Sequence, residues 1–494
     1  MTDFHTFPSP DLSPVSLSYV AALRGVLPRS PGTGFAYAAI NAYEPLALIC
    51  LAASNPEGKF FGIMENKELA ENAGRLARER QTENVEFHTG PVSEIPLPGL
   101  DYLVWDETRK ELCPEEREQL FTLVEKTLKP GGLLAASYRA YSNPDEALCF
   151  LAKEFGPEMN SDESREFLQE IRVLGKLYFS GHPIARKALE SAIESGKTEE
   201  FFAACDTGTE PRSGTLDFMT DLMPRGFAFV GDADVRFNYM DLVAPPEAHE
   251  TLEKCRDHLL YEPIKDFTAG RLFRNDIWCH LPADQTSDPV RLFGEFTYGI
   301  FTSQEEIPET VKTMRGIVDL RQPLLKKIIT LMSDLPMSIG DFLHHPLGIG
   351  ADPDEVLTSI QLLVALGLAK PMRGRHLSQG KIHLSQLKWA NDYNRYLNSH
   401  SINTPQVLLA SQVVGGAVRV PARDALVMQA INRAGFVNSA GALLLELERI
   451  AKEPAIAAKI MDVAEPTETM AENITQDVIR RSMIRWYAYG LLAA

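Results

Sequence analysis

The sequence predicts an α/β protein whose N-terminal part is a doubly wound parallel sheet, and three observations carry this. Short apolar runs alternate with helical patterns between Phe35 and Tyr138, the βαβ order of a parallel sheet. The chain has 494 residues, too many for one core at roughly 100–200 residues per domain. Its 45% hydrophobic and 23% charged composition is that of a globular chain; no apolar run nears the roughly 20 residues needed to cross a bilayer.

Residues 35–42 read as an apolar strand and 46–53 as an apolar helix. Asn55-Pro56-Glu57-Gly58 then turns the chain into a second strand at 59–64. Between Asn66 and Arg80, charged residues flank Leu69, Ala73 and Leu76, which predicts an amphipathic helix. Further strands are expected at 84–88 and 101–105. Pro114-Glu115-Glu116 puts proline in the first turn of a helix and acids at its positive end. That helix runs to Leu128, where Lys129-Pro130-Gly131-Gly132 stops it before a strand at 133–138.

Residues 151–210 are helical and polar. A helix at 214–224, a strand at 227–230 and a polar helical stretch from 246 to 269 follow. The alternation across 271–280 predicts a half-exposed strand, with Arg271, Arg274 and Asp276 making ion pairs. Helices are expected at 314–333 and 352–366, the latter with Asp354 and Glu355 at its start and Gly367 at its end; a short segment at 338–343 lies between them. With Arg373-Gly374-Arg375-His376 and an extended 381–384 behind them, these helices suggest a winged helix. The last hundred residues read as mainly helical, broken near Gly415-Gly416 and Pro421. The expected division is 1–150 for the first sheet domain, 151–300 for a helical linker and small α+β domain, 301–390 for the winged-helix-like part and 391–494 for a helical C-terminal domain.

With 49 Lys and Arg against 67 Asp and Glu, the net charge is −18, a field that disfavours nucleic acid and reads first as plain solubility, with steering of a basic protein surface as the lesser reading. Arg373 and Arg375 are the cations a DNA-reading winged helix would use, but the surrounding acidity and net charge favour protein contact or simple packing for them. The first residues lack a basic start followed by an apolar core, so the cytoplasm is expected. Cys50, Cys113, Cys149, Cys205, Cys255 and Cys279 are scattered without a CxxC pair, which predicts reduced thiols and no metal. His344-His345 has no third ligand at useful spacing.

Lys129-Pro130-Gly131-Gly132-Leu133, between a helix and a strand, resembles class I S-adenosylmethionine methyltransferases. The order of Leu51–Gly58, Phe61-Gly62-Ile63, Asn84–Phe87 and Leu133–Tyr138 is similar to the bacterial protein-lysine methyltransferase family that carries a methyltransferase regulatory domain. So are Tyr239-Met240-Asp241-Leu242, Pro245-Pro246-Glu247-Ala248, Asp266–Asp276, Val407–Ser411 and Ala422–Leu426, so the resemblance spans nearly the whole chain. It implies a Rossmann-like methyltransferase domain, a small regulatory domain and a helical C-terminal region.

The resemblance also implies a cofactor loop of the form Glu/Asp-x-Gly-x-Gly-x-Gly, whose glycines let the backbone turn tightly against the ligand. Here the acid falls on Ala39 and the glycines on Asn41, Tyr43 and Pro45. Bulky rings at 43 and 45 would take the ligand's volume, and Pro45 would remove a backbone donor. The ribose-binding acid aligns with Met64; Glu65 beside it faces the other side of a continuing strand. The adenine-side acid is missing from His88-Thr89-Gly90-Pro91, Trp105-Asp106-Glu107 stands where the family shows His-Gly, and Arg139 replaces an Asn. Gly32-Thr33-Gly34 precedes the first strand and reads as a turn. Asp106, Glu107 and Arg139 read as solvated loop charges.

The leading expectation is therefore a methyltransferase-like pseudoenzyme with no catalytic residue and no bound cofactor. It would hold a protein partner, either an active methyltransferase relative or its substrate. One alternative is an active S-adenosylmethionine-dependent protein-lysine methyltransferase in which Glu44, Glu65 and Asp106 substitute for the lost polar groups. The other is a DNA-binding regulator.

Overall fold

The computed structural model describes residues 9–29, 33–42, 44–108, 112–141, 147–155, 161–205, 212–302, 304–374, 386–396, 406–434, 445–446, 449 and 468–493. Seven strands form one sheet: β1 (Phe35–Ile40), β2 (Gly58–Met64), β3 (Val85–Thr89), β4 (Leu100–Asp106), β5 (Leu128–Arg139), β6 (Phe227–Asp232) and β7 (Phe273–His280). Their order is β3-β2-β1-β4-β5-β7-β6. The chain divides into two compact units, and the division falls within β4, between Val104 and Trp105.

The first unit contains residues 1–104, 284–308 and 321–494. In it β1 pairs parallel with β2, Phe35 opposite Gly58, and β2 pairs parallel with β3. Helix α1 (Pro14–Ala22) has Pro14 at its N-terminus behind the Ser13 cap. Helix α2 (Pro45–Ser54) is apolar on every side and buried along most of its length, as such a helix must be. Its C-terminus is fastened to the hairpin Gln406–Ser411 and Gly416–Pro421: Ser54 Oγ donates to the Gly416 carbonyl at 3.0 Å, and Asn55 Nδ2 to that of Gly415 at 3.1 Å. Helix α3 (Lys67–Glu79) buries Ala70, Ala73 and Ala77, a stripe of small residues, while Leu69 stays exposed. The expected Leu69–Ala73–Leu76 face is thus rotated by one position.

Three more helices of this unit, Pro323–Asp334, Ile339–His344 and Pro353–Ala365, precede a strand at Lys370–Met372 that pairs antiparallel with Thr297–Gly299. The expected extended stretch at 381–384 and Arg375 lie outside the described residues. Arg373 is ion-paired with Glu57 and four-fifths buried, so it is engaged within the fold rather than held free for DNA. The C-terminal region is also less helical than expected, because 406–421 is an antiparallel hairpin turned at Gly415, whose φ is +69°.

The second unit contains residues 105–283 and 309–320. Here β7 lies between β5 and β6 and is antiparallel to both, so the sheet is mixed rather than parallel. Ile277, Trp278 and Cys279 are fully buried, which corrects the half-exposed reading: the polar positions of the alternation are sealed too. The expected helix at 314–333 starts only at Pro323. Ahead of it, Thr310–Lys312 and Ile317–Asp319 form a hairpin closed at Gly316, at φ +144°.

What seals the polar positions of β7 is an ion network. The Arg274 guanidinium, with no exposed surface, donates to Asp276 Oδ1 at 2.7 Å, Asp266 Oδ1 at 2.8 Å and Glu262 Oε2 at 2.8 Å. Lys265 donates to the other Glu262 oxygen at 2.6 Å, and Arg271 pairs with Asp232. Thr215 Oγ1 donates to Asp266 at 2.8 Å, and the Tyr138 hydroxyl donates to Asp276. The ion pairs expected of Arg271, Arg274 and Asp276 are therefore present. Four carboxylates share three cations, so one acid lacks full compensation.

Burial raises the Asp276 carboxyl, against the pull of Arg274, to about 7. Burial also pushes Glu262 up, but Lys265 and Arg274 together outweigh it and hold that acid at about 2. A carboxyl raised in the folded state binds its proton earlier than in the unfolded chain. Stability then falls as pH climbs from about 4 through about 7. A depressed one acts on the other side, so the Glu262 contribution is complete above about 4.5 and is lost toward about 2. The urea midpoint of this unit is expected to decline from pH 5 to pH 8 and to flatten in Asp276→Asn. A wild-type midpoint that stays level across that range would count against the raised Asp276 carboxyl.

Candidate functional site

Residues of the expected cofactor site fall in both units. In the first, Ala39 is fully buried in β1 opposite Gly62 of β2, so no acid reaches the ligand side from that position. Asn41 follows β1 with φ +61°. Asparagine is one of the few residues besides glycine that tolerate this left-handed conformation, so the turn that the missing glycine would make is made without it. The Ala42 amide then donates to the Ile63 carbonyl at 3.2 Å, tying the turn to β2. Tyr43 lies outside the described residues.

Pro45 is the first residue of α2. That position has no intrahelical acceptor for its amide, so the proline costs the helix no hydrogen bond, while the backbone donor a ligand could have met there is absent. Glu44 precedes it as the exposed cap residue, its side chain making no capping bond. Met64 ends β2 and packs with Ala70, Ala73 and Phe87. Strand β2 stops there, and Glu65 stands exposed in a bend before the Asn66 cap of α3. The alternation argument against Glu65 therefore does not apply, because it is no longer in the strand. An acid at the carboxyl end of β2 is where a dinucleotide-type fold recognises ribose hydroxyls.

A valine at 41 would be forced into a conformation costing about 1–3 kcal/mol, whereas glycine accepts it freely. Asn41→Val is expected to lower the unfolding free energy by roughly that amount, and Asn41→Gly to leave it nearly unchanged, as read from urea denaturation.

In the second unit, Asp106 ends β4 and is buried; its Oδ1 accepts from the Thr108 amide at 2.8 Å and from the Thr108 hydroxyl at 2.6 Å. Glu107 is also buried, donating its amide to the Ser137 carbonyl at 2.8 Å and accepting from the Leu112 amide at 3.1 Å. These two acids are thus not the solvated loop charges expected. Arg139 does fit that description, exposed at the end of β5. Glu107 and Arg139 line one cavity with Arg117, Arg212 and Asp217. Sequence reasoning singled out none of those last three.

His344 bonds to the Gly340 carbonyl at 2.7 Å and His345 accepts from the Leu347 amide at 3.2 Å, both within a helix end. Among the described residues no group of three His, Cys, Asp or Glu is placed to hold a metal, and no helix is long and apolar enough to cross a membrane.

The strand order defines a Rossmann-like methyltransferase sheet in which β7 runs antiparallel to its neighbours and β6, beyond it, runs parallel to β5. Residues 214–280 match the family model described as a predicted methyltransferase regulatory domain. The structure of PKMT2 from Rickettsia typhi matches over 99% of both chains at 15% identity, with a TM-score of 0.63. The same protein in complex with AdoHcy matches over 98% of both at 14% identity, with a TM-score of 0.60. By sequence, an uncharacterized protein of Synechocystis is 20% identical over 86% of this chain and 85% of its own. An uncharacterized protein of Rickettsia prowazekii is 20% identical over 56% of this chain and 51% of its own.

The chain has the fold of the Rickettsia protein-lysine methyltransferase PKMT2 and carries the methyltransferase regulatory domain. The pseudoenzyme expectation, with its absent cofactor, is corrected by this match. A protein of the same fold over its full length has been captured with AdoHcy, and the Asn41 turn and the position of Glu65 remove two of the physical objections on which that expectation rested.

Proposed function

We propose that this protein is an active S-adenosylmethionine-dependent methyltransferase acting on lysine side chains of a protein substrate. The observation that carries the reading is the likeness over 98% of the chain to a PKMT2 structure holding AdoHcy. The residues present suit such a cofactor: a left-handed Asn41 keeps the turn after β1, and Glu65 is exposed beyond β2. Glu65 would accept the ribose hydroxyls. Glu44 would lie beside the amino-acid end, and Asp106, already fixed by Thr108, would hold the end of β4 in place. The cofactor would supply an electrophilic methyl group, and the protein's part is to orient it, exclude water and leave the acceptor amine unprotonated. The net charge of −18 suits a lysine-bearing, basic acceptor surface and a cytoplasmic protein. The three helices ending at the Lys370–Met372 strand serve as a winged-helix-like packing module, with Arg373 engaged by Glu57.

Incubating the purified chain with methyl-labelled S-adenosylmethionine and a panel of lysine-containing proteins is expected to label lysine, with a mass gain of one or more methyl groups. Absence of both labelling and cofactor binding by calorimetry would refute the reading.

A further inference from the structure

All six cysteines of the chain are free, and two of them meet in the second unit. Cys149 lies in the helix Ala147–Phe155, and Cys205 follows the helix Thr198–Ala204 as its C-terminal cap. The two helices pack together, and both cysteines belong to one apolar cluster, Cys205 in its buried part and Cys149 against it. Within that cluster the Cys205 thiol is hydrogen-bonded to the Cys149 sulfur. Thiols already in contact need a change of side-chain torsion, rather than a movement of the helices, to reach the ~2 Å of a disulfide.

The pair is asymmetric. Cys205 is 4% exposed, and the bond to Cys149, with burial behind it, pushes its thiol well up, so it keeps its proton and donates it. Cys149 is half-buried and reachable by a solute. Lys153 follows one turn along the same helix, and its positive charge acts on the pair in favour of a thiolate. Cys149 is therefore the sulfur that ionises first. The other four cysteines have different surroundings: Cys113 stands exposed before α4 (Pro114–Thr127), Cys50 is buried in α2 beside Tyr393, and Cys279 is buried in β7. Cys255 borders the same apolar cluster, with Glu170 and Lys254 as its charged neighbours.

We propose that Cys149 and Cys205 form a reversible redox-modification site, joined as a disulfide by exchange with a small aliphatic disulfide. The Cys149 thiolate attacks one sulfur of that molecule, whose S–S bond breaks; a mixed disulfide forms, and the departing thiolate takes up the proton that Cys149 released. Cys205, deprotonating in turn, attacks the Cys149 sulfur and expels the second small thiol. The protein loses two hydrogens and the small disulfide becomes two thiols. The new bond fastens the helix Ala147–Phe155 to the end of Thr198–Ala204 and closes a loop over residues 150–204, a constraint that favours the folded state. The same cluster holds Ile264 and Phe267 of the helix Tyr261–Ala269, so the clasp lies in the core beneath the acids of the ion network. The proposal goes beyond methyl transfer, and its readout needs no cofactor.

The test exposes the folded full chain to oxidised glutathione, quenches with acid, alkylates the remaining thiols and maps the peptides by mass without reduction. Wild type is expected to yield a linked pair carrying Cys149 and Cys205, lighter by two hydrogens than its two halves, which dithiothreitol separates again. That link should form at least ten times faster than any link through Cys50, Cys113, Cys255 or Cys279. Cys205→Ser should stop at a lasting glutathione adduct on Cys149. Cys149→Ser should give neither link nor adduct at Cys205 in the same time, because that sulfur is sealed. Circular dichroism checks that both variants stay folded, and Cys255→Ser should behave as wild type. No linked pair in the wild type, a link through another cysteine formed as fast, or a wild-type adduct on Cys149 that never resolves overturns the proposal, the last because Cys205 would then be out of reach.

Discussion

Replacing Arg274 with methionine is expected to destabilise the second unit by about 3–5 kcal/mol, the range for a broken buried ion pair. The methionine fills much of the volume, so the loss comes from charge: Glu262, Asp266 and Asp276, each within 2.8 Å of the guanidinium, would stay buried without their shared cation. Arg274→Lys restores the charge but can satisfy fewer of the three acids in their fixed geometry, so it should fall between the two. Urea denaturation of the full chain, followed by Trp105 and Trp278 fluorescence in that unit, reads the effect. A methionine variant as stable as the wild type would show that the network is neutral to stability. Because Asp276 already shares its environment with Asp232, the methionine variant should also be the more sensitive of the two to rising pH.

Glu65→Ala is expected to weaken S-adenosylmethionine about a hundred-fold while leaving the unfolding midpoint unchanged. The size follows from losing one or two hydrogen bonds to a charged acceptor, at about 1.5–3 kcal/mol each. The unchanged midpoint follows from the exposure of Glu65 outside any helix or strand. Glu65→Gln, which can still accept one hydrogen bond, should lose less. Calorimetry with the cofactor and its demethylated product measures both; equal affinity in wild type and alanine variant would move the ribose contact elsewhere.

The parts of this fold legible in the sequence are those set by local pattern. Strands β1 to β4 follow from short apolar runs, and α4 from proline and acids at its start. The misreadings have physical causes. Residues 310–319 carry a helix-like spacing of apolar residues, but the positive φ at Gly316 and the N-terminal preference of Pro323 marked a hairpin followed by a helix. The strand at Gln406–Ser411 was hidden because its face is completed by α2, far away in sequence. Strand β7 looked half-exposed because Arg274 and Asp276 alternate with apolar residues, and only the partners on the helix Tyr261–Ala269 make those positions interior. At the candidate site, the loss of glycine at 41 was visible and its repair was equally legible, since asparagine is the usual stand-in at positive φ.

The insertion of β7 between β5 and β6 also bears on how the chain can be dissected. A fragment ending near residue 150 would strip β5 of its antiparallel neighbour and bare a long hydrophobic rim, the kind of margin that recruits other chains. The regulatory segment is thus no detachable cassette.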